Sequence, residues 1–130
     1  MRTAWLWLGL AAGCSSIPAP NMYVDPVLRL HGHNDYLQPV PLTRALQFGL
    51  GSLEADIYLV DGELRVGHER WQLRPGRTLQ AMYLDPLRAL VKEHGALRTD
   101  GQPLVLLVDI KADGAAVYRH LRTVLEDYRD

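Results

Sequence analysis

Apolar and polar positions along the chain form three short apolar runs that each end in polar residues. Residues 27–30 are largely apolar and stop at a polar stretch that begins with His31. Ser52–Val60 form the second run, and the Asp61-Gly62 dipeptide favours a tight hairpin into a further strand. Residues 103–111 are almost continuously apolar until their end, which is typical of a parallel strand covered on both faces.

Segments with helical spacing lie between and after these runs. Apolar residues recur every three or four positions over residues 42–50 and again in the last segment, which Asp113-Gly114 opens. A helical turn is predicted over residues 78–83, followed by a helix that Asp85 caps and that ends at Gly95. A helix in each connection predicts a parallel α/β architecture, either a barrel or an open sheet.

The composition is that of a globular protein and suggests at most one domain. Of the 130 residues, 48% are hydrophobic and 22% are charged. The formal net charge of -1 provides no basic field that would attract nucleic acid, so no nucleic-acid partner is expected. A single cysteine excludes an intrachain disulfide framework.

The N-terminus has the order of features found in a processing signal. Met1-Arg2 supplies a positive charge, residues 5–10 form a short apolar stretch, and small residues lead to Cys14. We predict a signal peptide over residues 1–14, an extended linker over 15–27 and a folded region over 28–130. The small residues before Cys14 resemble a bacterial lipobox.

From this resemblance we expect an exported protein, either a bacterial-type membrane-anchored lipoprotein or a periplasmic or extracellular one. Membrane contact would then be made only through the N-terminal lipid anchor. A secretory signal without lipidation is one alternative, and a wrongly assigned start before a cytosolic protein is another.

Each of the three predicted strands ends in two polar side chains spaced i, i+2. The pairs are His31 with His33, Glu54 with Asp56, and Asp109 with Lys111. Side chains alternate across a strand, so each pair lies on one side of the sheet. The three carboxylates would repel one another unless a cation neutralised them. Their oxygen ligands suit Mg2+ or Ca2+, whereas this region contains no cysteine as a soft ligand.

An ordered set of motifs over residues 28–130 resembles the altered inheritance of mitochondria protein 6 family. This family belongs to the phospholipase C-like phosphodiesterases, alongside glycerophosphodiester phosphodiesterases and sphingomyelinase D. The motifs are His31-Gly32-His33-Asn34-Asp35-Tyr36, Glu54-Ala55-Asp56, Val66-Gly67-His68, Arg77-Thr78-Leu79, Tyr83-Leu84-Asp85-Pro86-Leu87 and Asp109-Ile110-Lys111.

The resemblance implies a TIM-type (β/α)8 barrel that cleaves phosphodiesters with two histidines as acid and base. It implies a divalent metal, Mg2+ or Ca2+, and a phospholipid or a glycerophosphodiester-like small molecule as substrate. An eight-unit barrel needs about 250 residues. We therefore expect this chain to be the N-terminal portion, about three β/α units, and to be inactive alone.

The same resemblance assigns roles to individual residues. Glu54, Asp56 and Asp109 match the metal carboxylates, and Lys111 matches a lysine that we expect to contact the substrate phosphate. His68 matches the second catalytic histidine. His31 and His33 both lie where the first catalytic histidine is expected, and we slightly favour His31.

Two other classes of protein are compatible with parts of the sequence. A His-x-His at the end of a first strand also resembles zinc-dependent amidohydrolases, in which His31 and His33 would bind zinc together. That alternative leaves the acidic pairs without a role. The second alternative is a truncated lipoprotein that binds phosphate-bearing ligands without catalysis. The substrate head group and the oligomeric state do not follow from the sequence.

Overall fold

Residues 30–98 and 101–129 are described by a computed structural model and form a mixed α/β arrangement. The strands are β1 (His31–Gly32), β2 (Ser52–Val60), β3 (Glu63–Val66) and β4 (Val105–Ile110). The helices are α1 (Thr43–Gln47), α2 (Asp85–His94) and α3 (Gly114–Glu126). Two 3-10 turns, Asp35–Leu37 and Arg70–Gln72, and a π-helical turn, Gln80–Leu84, lie between them. The signal peptide and linker predicted over residues 1–27 lie outside the described residues.

The sheet is built around β2. β1 pairs in parallel with the first residues of β2, and β3 pairs antiparallel with its last four residues. β4 pairs in parallel along the opposite side of β2, with Asp56 directly beside Asp109. The predicted α/β class with parallel strands is therefore confirmed. The complete barrel stays a prediction, because the described residues form a small sheet.

The two faces of β2 have different chemistry because its side chains alternate. Leu53, Ala55 and Ile57 are fully buried on one face, in a core to which α1 and α3 contribute. Val117 and Leu121 are the buried residues of α3, which packs on β2 and β4. Glu54 and Asp56 occupy the other face, so the helices lie on the side away from the acidic residues.

The hairpin between β2 and β3 follows the predicted turn chemistry. Asp61 and Gly62 both have positive φ, at 53° and 79°, as a two-residue type I′ turn requires. The turn returns the chain antiparallel, so that Val66 pairs with Ile57. The hairpin thereby brings His68, just beyond β3, beside Asp56.

The start of α2 differs from the sequence prediction, whereas most of the predicted first strand lies outside the described residues. Of the strand predicted over residues 27–30, only Leu30 is described, and within residues 30–98 strand pairing begins at His31. Asp85 makes no side-chain cap, because the π-helical turn continues directly into α2. Its carboxylate instead accepts a hydrogen bond from the Tyr128 hydroxyl at 2.6 Å, which links α2 to the end of α3.

A buried carboxylate fixes the loop that follows the two N-terminal histidines. Asp35 is 3% exposed, and its Oδ2 accepts hydrogen bonds from the Leu42 N–H at 2.7 Å and the Tyr83 hydroxyl at 2.9 Å. Leu42 has a φ of 56°, an unfavourable value for a residue with a side chain. Asp35, two residues after His33, therefore holds the strained backbone at Leu42 in place. Within residues 30–98 and 101–129, no helix has the length and hydropathy that a membrane crossing requires.

Candidate active site

The structure brings all seven predicted site residues into one cluster at the carboxyl end of the parallel strands. The seven are His31, His33, Glu54, Asp56, His68, Asp109 and Lys111. β1, β2 and β4 run in the same direction, so their ends meet at one edge of the sheet. Gly32 separates the two histidines at a crowded position, where an added Cβ would lie 2.9 Å from Leu50 Cδ2. A side chain there would force the Leu50 side chain to move.

Three carboxylates form the centre of the cluster. Glu54, Asp56 and Asp109 each contribute an oxygen, and these oxygens all lie within 4.8 Å of one another. The Lys111 ammonium lies 3.0 Å from Asp56 Oδ2 and 3.0 Å from Asp109 Oδ2. Its hydrogen bond with Asp109 and the charges of both acids raise the Lys111 pKa, so it is a cation at neutral pH. One cation thus offsets part of the charge of three acids.

The two oxygens of Asp56 have different environments. Asp56 is fully buried, and its Oδ2 lies 2.8 Å from the Tyr36 hydroxyl and 2.8 Å from His68 Nδ1, in addition to the Lys111 contact. Its Oδ1 is also buried but has no hydrogen-bond partner in the part of the chain that the structure describes. A buried carboxylate oxygen without a donor is costly unless a cation or water meets it.

Burial and hydrogen bonding act in opposite directions on Asp56. Burial alone would raise the carboxyl pKa, and the hydrogen bonds from Tyr36, His68 and Lys111 more than offset it. The Asp56 pKa therefore lies below its ordinary value, and the side chain is ionised at neutral pH. Burial, reinforced by Asp56, raises the Tyr36 pKa, so the hydroxyl keeps its proton and remains a donor.

The lowered Asp56 pKa predicts acid-sensitive stability in metal-free protein. A carboxyl whose folded pKa is depressed stabilises the fold above its ordinary pKa of 3.8, and this contribution is lost as the pH falls through the folded value. We expect the difference in unfolding free energy between wild type and Asp56→Asn to shrink from pH 6 to about pH 2. Urea unfolding in the presence of a chelator measures this difference in unfolding free energy. Asp61→Asn, at an exposed turn carboxylate, is the control, and a difference that is independent of pH contradicts the prediction.

His68 is held through one ring nitrogen and its main chain. Its Nδ1 hydrogen-bonds to Asp56. Its main-chain N–H donates to Gln72 Oε1, and its main-chain carbonyl accepts from the Tyr58 hydroxyl. The Nε2 atom lies 4.0 Å from Glu69 Oε1, beyond hydrogen-bond distance, and the side chain is 45% exposed. A carboxylate on one imidazole nitrogen selects the tautomer in which the other can exchange a proton.

His31 and His33 both lie beside Glu54 but differ in their contacts. His33 Nε2 is 3.2 Å from Glu54 Oε2, and its side chain is 71% exposed. His31 Nε2 is 4.0 Å from the same oxygen, and its Nδ1 hydrogen-bonds to Ser52 Oγ at 2.8 Å. The main-chain N–H of Asn34 also donates to Glu54 Oε2, at 3.2 Å. His31 is therefore the more firmly oriented of the two rings.

The residues present fit a hard divalent cation. The converging oxygens of Glu54, Asp56 and Asp109 are the kind of donor that Mg2+ and Ca2+ prefer, and a cation could meet Asp56 Oδ1, which has no hydrogen-bond partner among the described residues. In the part of the chain that the structure describes, no group of three ligands close enough for one ion includes a histidine. The zinc alternative, in which His31 and His33 bind one metal together, gains no support from this arrangement.

Ser52 and Tyr36 contact the cluster but were not among the predicted site residues. Ser52 lies two and four positions before the acidic pair of β2, so strand alternation alone could have placed it beside His31. Tyr36 lies in a 3-10 turn, which has no hydrophobic period, and only its place in the His31 to Tyr36 motif marks it. Its hydroxyl bonds directly to Asp56.

The sheet and its acidic, histidine-lined edge define an α/β domain with a centre suited to a divalent cation. A family model described as the AIM6-like phosphodiesterase domain matches residues 21–130. The chain belongs to this phosphodiesterase domain family, which confirms the family expected from the motifs. No solved structure matches the chain.

Similar proteins are found among fungi. The chain is 36% identical to the altered inheritance of mitochondria protein 6 homolog of Arthroderma benhamiae, over 78% of this chain and 38% of that protein. It is 44% identical to altered inheritance of mitochondria protein 6 of Eremothecium gossypii, over 62% of this chain and 21% of that protein. The Candida glabrata protein of that name is 32% identical, over 66% of this chain and 28% of that protein. The chain thus spans between a fifth and two fifths of these relatives.

The expected localisation is wrong. A bacterial-type lipoprotein, or a periplasmic or extracellular protein, was predicted from residues 1–14. The relatives found are instead fungal proteins named for altered inheritance of mitochondria, and this finding contradicts the bacterial-type prediction. A few small residues before a cysteine are too short a pattern to outweigh similarity over most of the chain.

Proposed function

We propose that this chain carries the metal and histidine centre of a phosphoric diester hydrolase that acts on a phospholipid or glycerophosphodiester-like substrate. One observation carries the proposal: Asp56 joins the carboxylate group to His68. Its Oδ2 hydrogen-bonds to the His68 ring, and its Oδ1 is buried and receives no donor from residues 30–98 and 101–129. Membership of a phosphodiesterase domain family supports the same reaction class.

The reaction requires two proton transfers. One histidine accepts the proton of the attacking hydroxyl as its oxygen forms a bond to phosphorus. The other donates a proton to the leaving oxygen as its bond to phosphorus breaks. His68, with Nδ1 on Asp56, performs one transfer through Nε2, and His31, with Nδ1 on Ser52, performs the other.

Negative charge on the phosphoryl oxygens must be balanced during the reaction. Lys111 is a cation at the edge of the carboxylate group and supplies part of this balance. Glu54, Asp56 and Asp109 would hold Mg2+ or Ca2+, which when bound neutralises charge on the phosphoryl group. The attacking hydroxyl belongs either to the substrate, which gives a cyclic phosphate, or to water, which gives a phosphomonoester.

The site belongs, in this proposal, to a larger barrel of the kind expected for the family. Val105 and Leu107 alternate with Asp109 along β4, on its acidic side, and are 52% and 49% exposed. Half-exposed apolar residues on a parallel strand are unusual, because such strands are normally covered on both faces. Further strands that close the sheet would bury them beneath the acidic edge.

The proposal predicts that removal of metal abolishes hydrolysis. In the complete protein, we expect EDTA to lower turnover of glycerophosphocholine and lysophosphatidylcholine by about 100-fold or more, since a bound metal contributes several kcal/mol. Mg2+ or Ca2+ should restore it. Phosphorus NMR of the products follows the rate and separates a cyclic phosphate from a phosphomonoester.

The outcomes separate the enzyme classes. Activity that survives the chelator, or no phosphodiester turnover with any divalent ion, contradicts the proposal. Restoration by Zn2+ alone, lost in both His31→Gln and His33→Gln, favours the amidohydrolase-like alternative. Binding of phosphodiesters without turnover favours the non-catalytic alternative.

A further inference from the structure

Tyr36 is the most firmly held of the three groups that contact Asp56 Oδ2. The residue is 2% exposed, and its main-chain carbonyl accepts a hydrogen bond from the Arg77 guanidinium at 2.8 Å. The side chains of His68 and Lys111, in contrast, are 45% and 20% exposed. Only the tyrosine contact comes from a side chain enclosed by the fold.

The hydroxyl of Tyr36 has two oxygen neighbours but one proton. It lies 2.8 Å from Asp56 Oδ2 and 2.9 Å from the side-chain amide of Asn34. The ionised carboxylate is the stronger acceptor and takes the proton. The structure places Asn34 Oδ1 beside the hydroxyl, and exchanging the amide oxygen and nitrogen of Asn34, which leaves the shape unchanged, would let its N–H donate to the hydroxyl oxygen. Asn34, Tyr36 and Asp56 thereby form a chain in which each residue orients the next.

We propose that Tyr36 is a positioning residue that divides the two oxygens of Asp56 between the histidine and the cation. Its hydroxyl fixes the rotation of the carboxylate, keeping Oδ2 on the side of His68 and Lys111. Oδ1 is then the oxygen left for the ion. This inference rests on the metal centre of the proposed function, and it adds a residue to which neither charge nor strand spacing assigns a role.

Mn2+ affinity tests this inference without requiring turnover. In Tyr36→Phe of the complete protein, we expect Mn2+ binding to weaken by about 10-fold or more, as is usual when a group that orients a metal ligand is lost. Electron paramagnetic resonance of free Mn2+ during titration gives the dissociation constant. Thermal unfolding in chelator verifies that each variant is folded.

Tyr83→Phe is the matched control. Tyr83 is fully buried and donates to a buried aspartate, Asp35, at 2.9 Å, but that aspartate is outside the carboxylate group. Tyr83→Phe removes a hydroxyl that donates to a buried aspartate, as Tyr36→Phe does. We expect its Mn2+ affinity to remain within about twofold of wild type, because the hydrogen bond that it loses is to Asp35, whose carboxylate is not one of the three converging acids.

A rescue variant separates positioning from a loss of packing. Replacing Tyr36 with p-aminophenylalanine keeps an N–H donor at the ring position and should restore Mn2+ affinity to within about threefold of wild type. This variant also carries the test if Tyr36→Phe does not fold, since it retains the ring and a donor.

Each outcome decides a different claim. An unchanged affinity in Tyr36→Phe, an equal loss in Tyr83→Phe, or no rescue by p-aminophenylalanine overturns the role of Tyr36 alone. Wild-type protein that binds no Mn2+, or binds it equally well as Asp109→Asn, overturns the metal centre and with it the proposed function. Mn2+ binding that is weakened in Tyr36→Phe but not in Tyr83→Phe, and that p-aminophenylalanine restores, supports both the role of Tyr36 and the metal centre.

Discussion

Glu54→Gln is expected to lower phosphodiester turnover of the complete protein by about 1000-fold at a fixed Mg2+ concentration, because one of three metal carboxylates loses its charge. A loss of about 4 kcal/mol of metal-dependent stabilisation corresponds to that factor. Glutamine has nearly the same shape, and its amide oxygen can still accept the Asn34 N–H that now bonds Glu54 Oε2. The loop after β1 should therefore keep its fold. Initial rates across an Mg2+ titration measure the effect.

The matched control for Glu54→Gln is Glu63→Gln. Glu63 is also a strand glutamate, but its side chain is 44% exposed and pairs with Arg65 on the hairpin. Such a surface pair contributes little, so the control should keep activity within about twofold. A Glu54→Gln enzyme within threefold of wild type at every Mg2+ concentration would show that Glu54 does not hold the metal.

Local chemistry along the chain was sufficient to predict most elements. β2 was predicted with its observed bounds, and α2 ends at Gly95 as expected. Both depend on signals within a few residues: the Asp61-Gly62 turn closes the hairpin, and Gly95 takes a positive φ of 78° after the helix. Such signals can be read directly from the sequence, because the turn residues themselves adopt the backbone conformation that the turn requires.

Elements that depend on distant contacts were predicted less well. Within the described residues, β1 begins at His31, which pairs with Ser52 of β2, 21 residues further along the chain. A pairing over that distance is not visible in the local sequence pattern. Asp85 looked like a helix cap, yet it bonds to Tyr128, 43 residues away. Closure into a barrel stays a prediction, because it would need more strands than the four that the described residues form.

The candidate site was predictable because strand alternation is a strict rule. The i, i+2 pairs placed Glu54 and Asp56 on one face, and parallel strand ends brought Asp109 and Lys111 beside them. Tyr36 was not predicted as part of the site, since a 3-10 turn carries no such rule. The different contacts of the two Asp56 oxygens could not be predicted from the sequence either, because the side chains that meet at this carboxylate come from four separate segments of the chain.

His68→Gln is expected to lower kcat by about 1000-fold at saturating Mg2+, because glutamine cannot exchange a proton with the substrate. General acid or base catalysis by one side chain contributes factors of about 100 to 10,000. At saturating Mg2+, a weaker metal affinity caused by losing the contact between His68 and Asp56 no longer affects the measured rate. His120→Gln is the control, because His120 lies on α3, which packs on the opposite face of the sheet.

His31→Gln should reproduce the loss seen in His68→Gln, and His33→Gln should retain at least about a tenth of wild-type kcat. The reason is orientation: Ser52 hydrogen-bonds to the His31 ring, whereas the His33 side chain is 71% exposed and its Nε2 lies 3.2 Å from Glu54 Oε2. If two histidines share one proton-transfer cycle, removing both His31 and His68 costs little more than removing either. A His33→Gln enzyme as inactive as His68→Gln, with His31→Gln near wild type, would assign the first catalytic role to His33 instead.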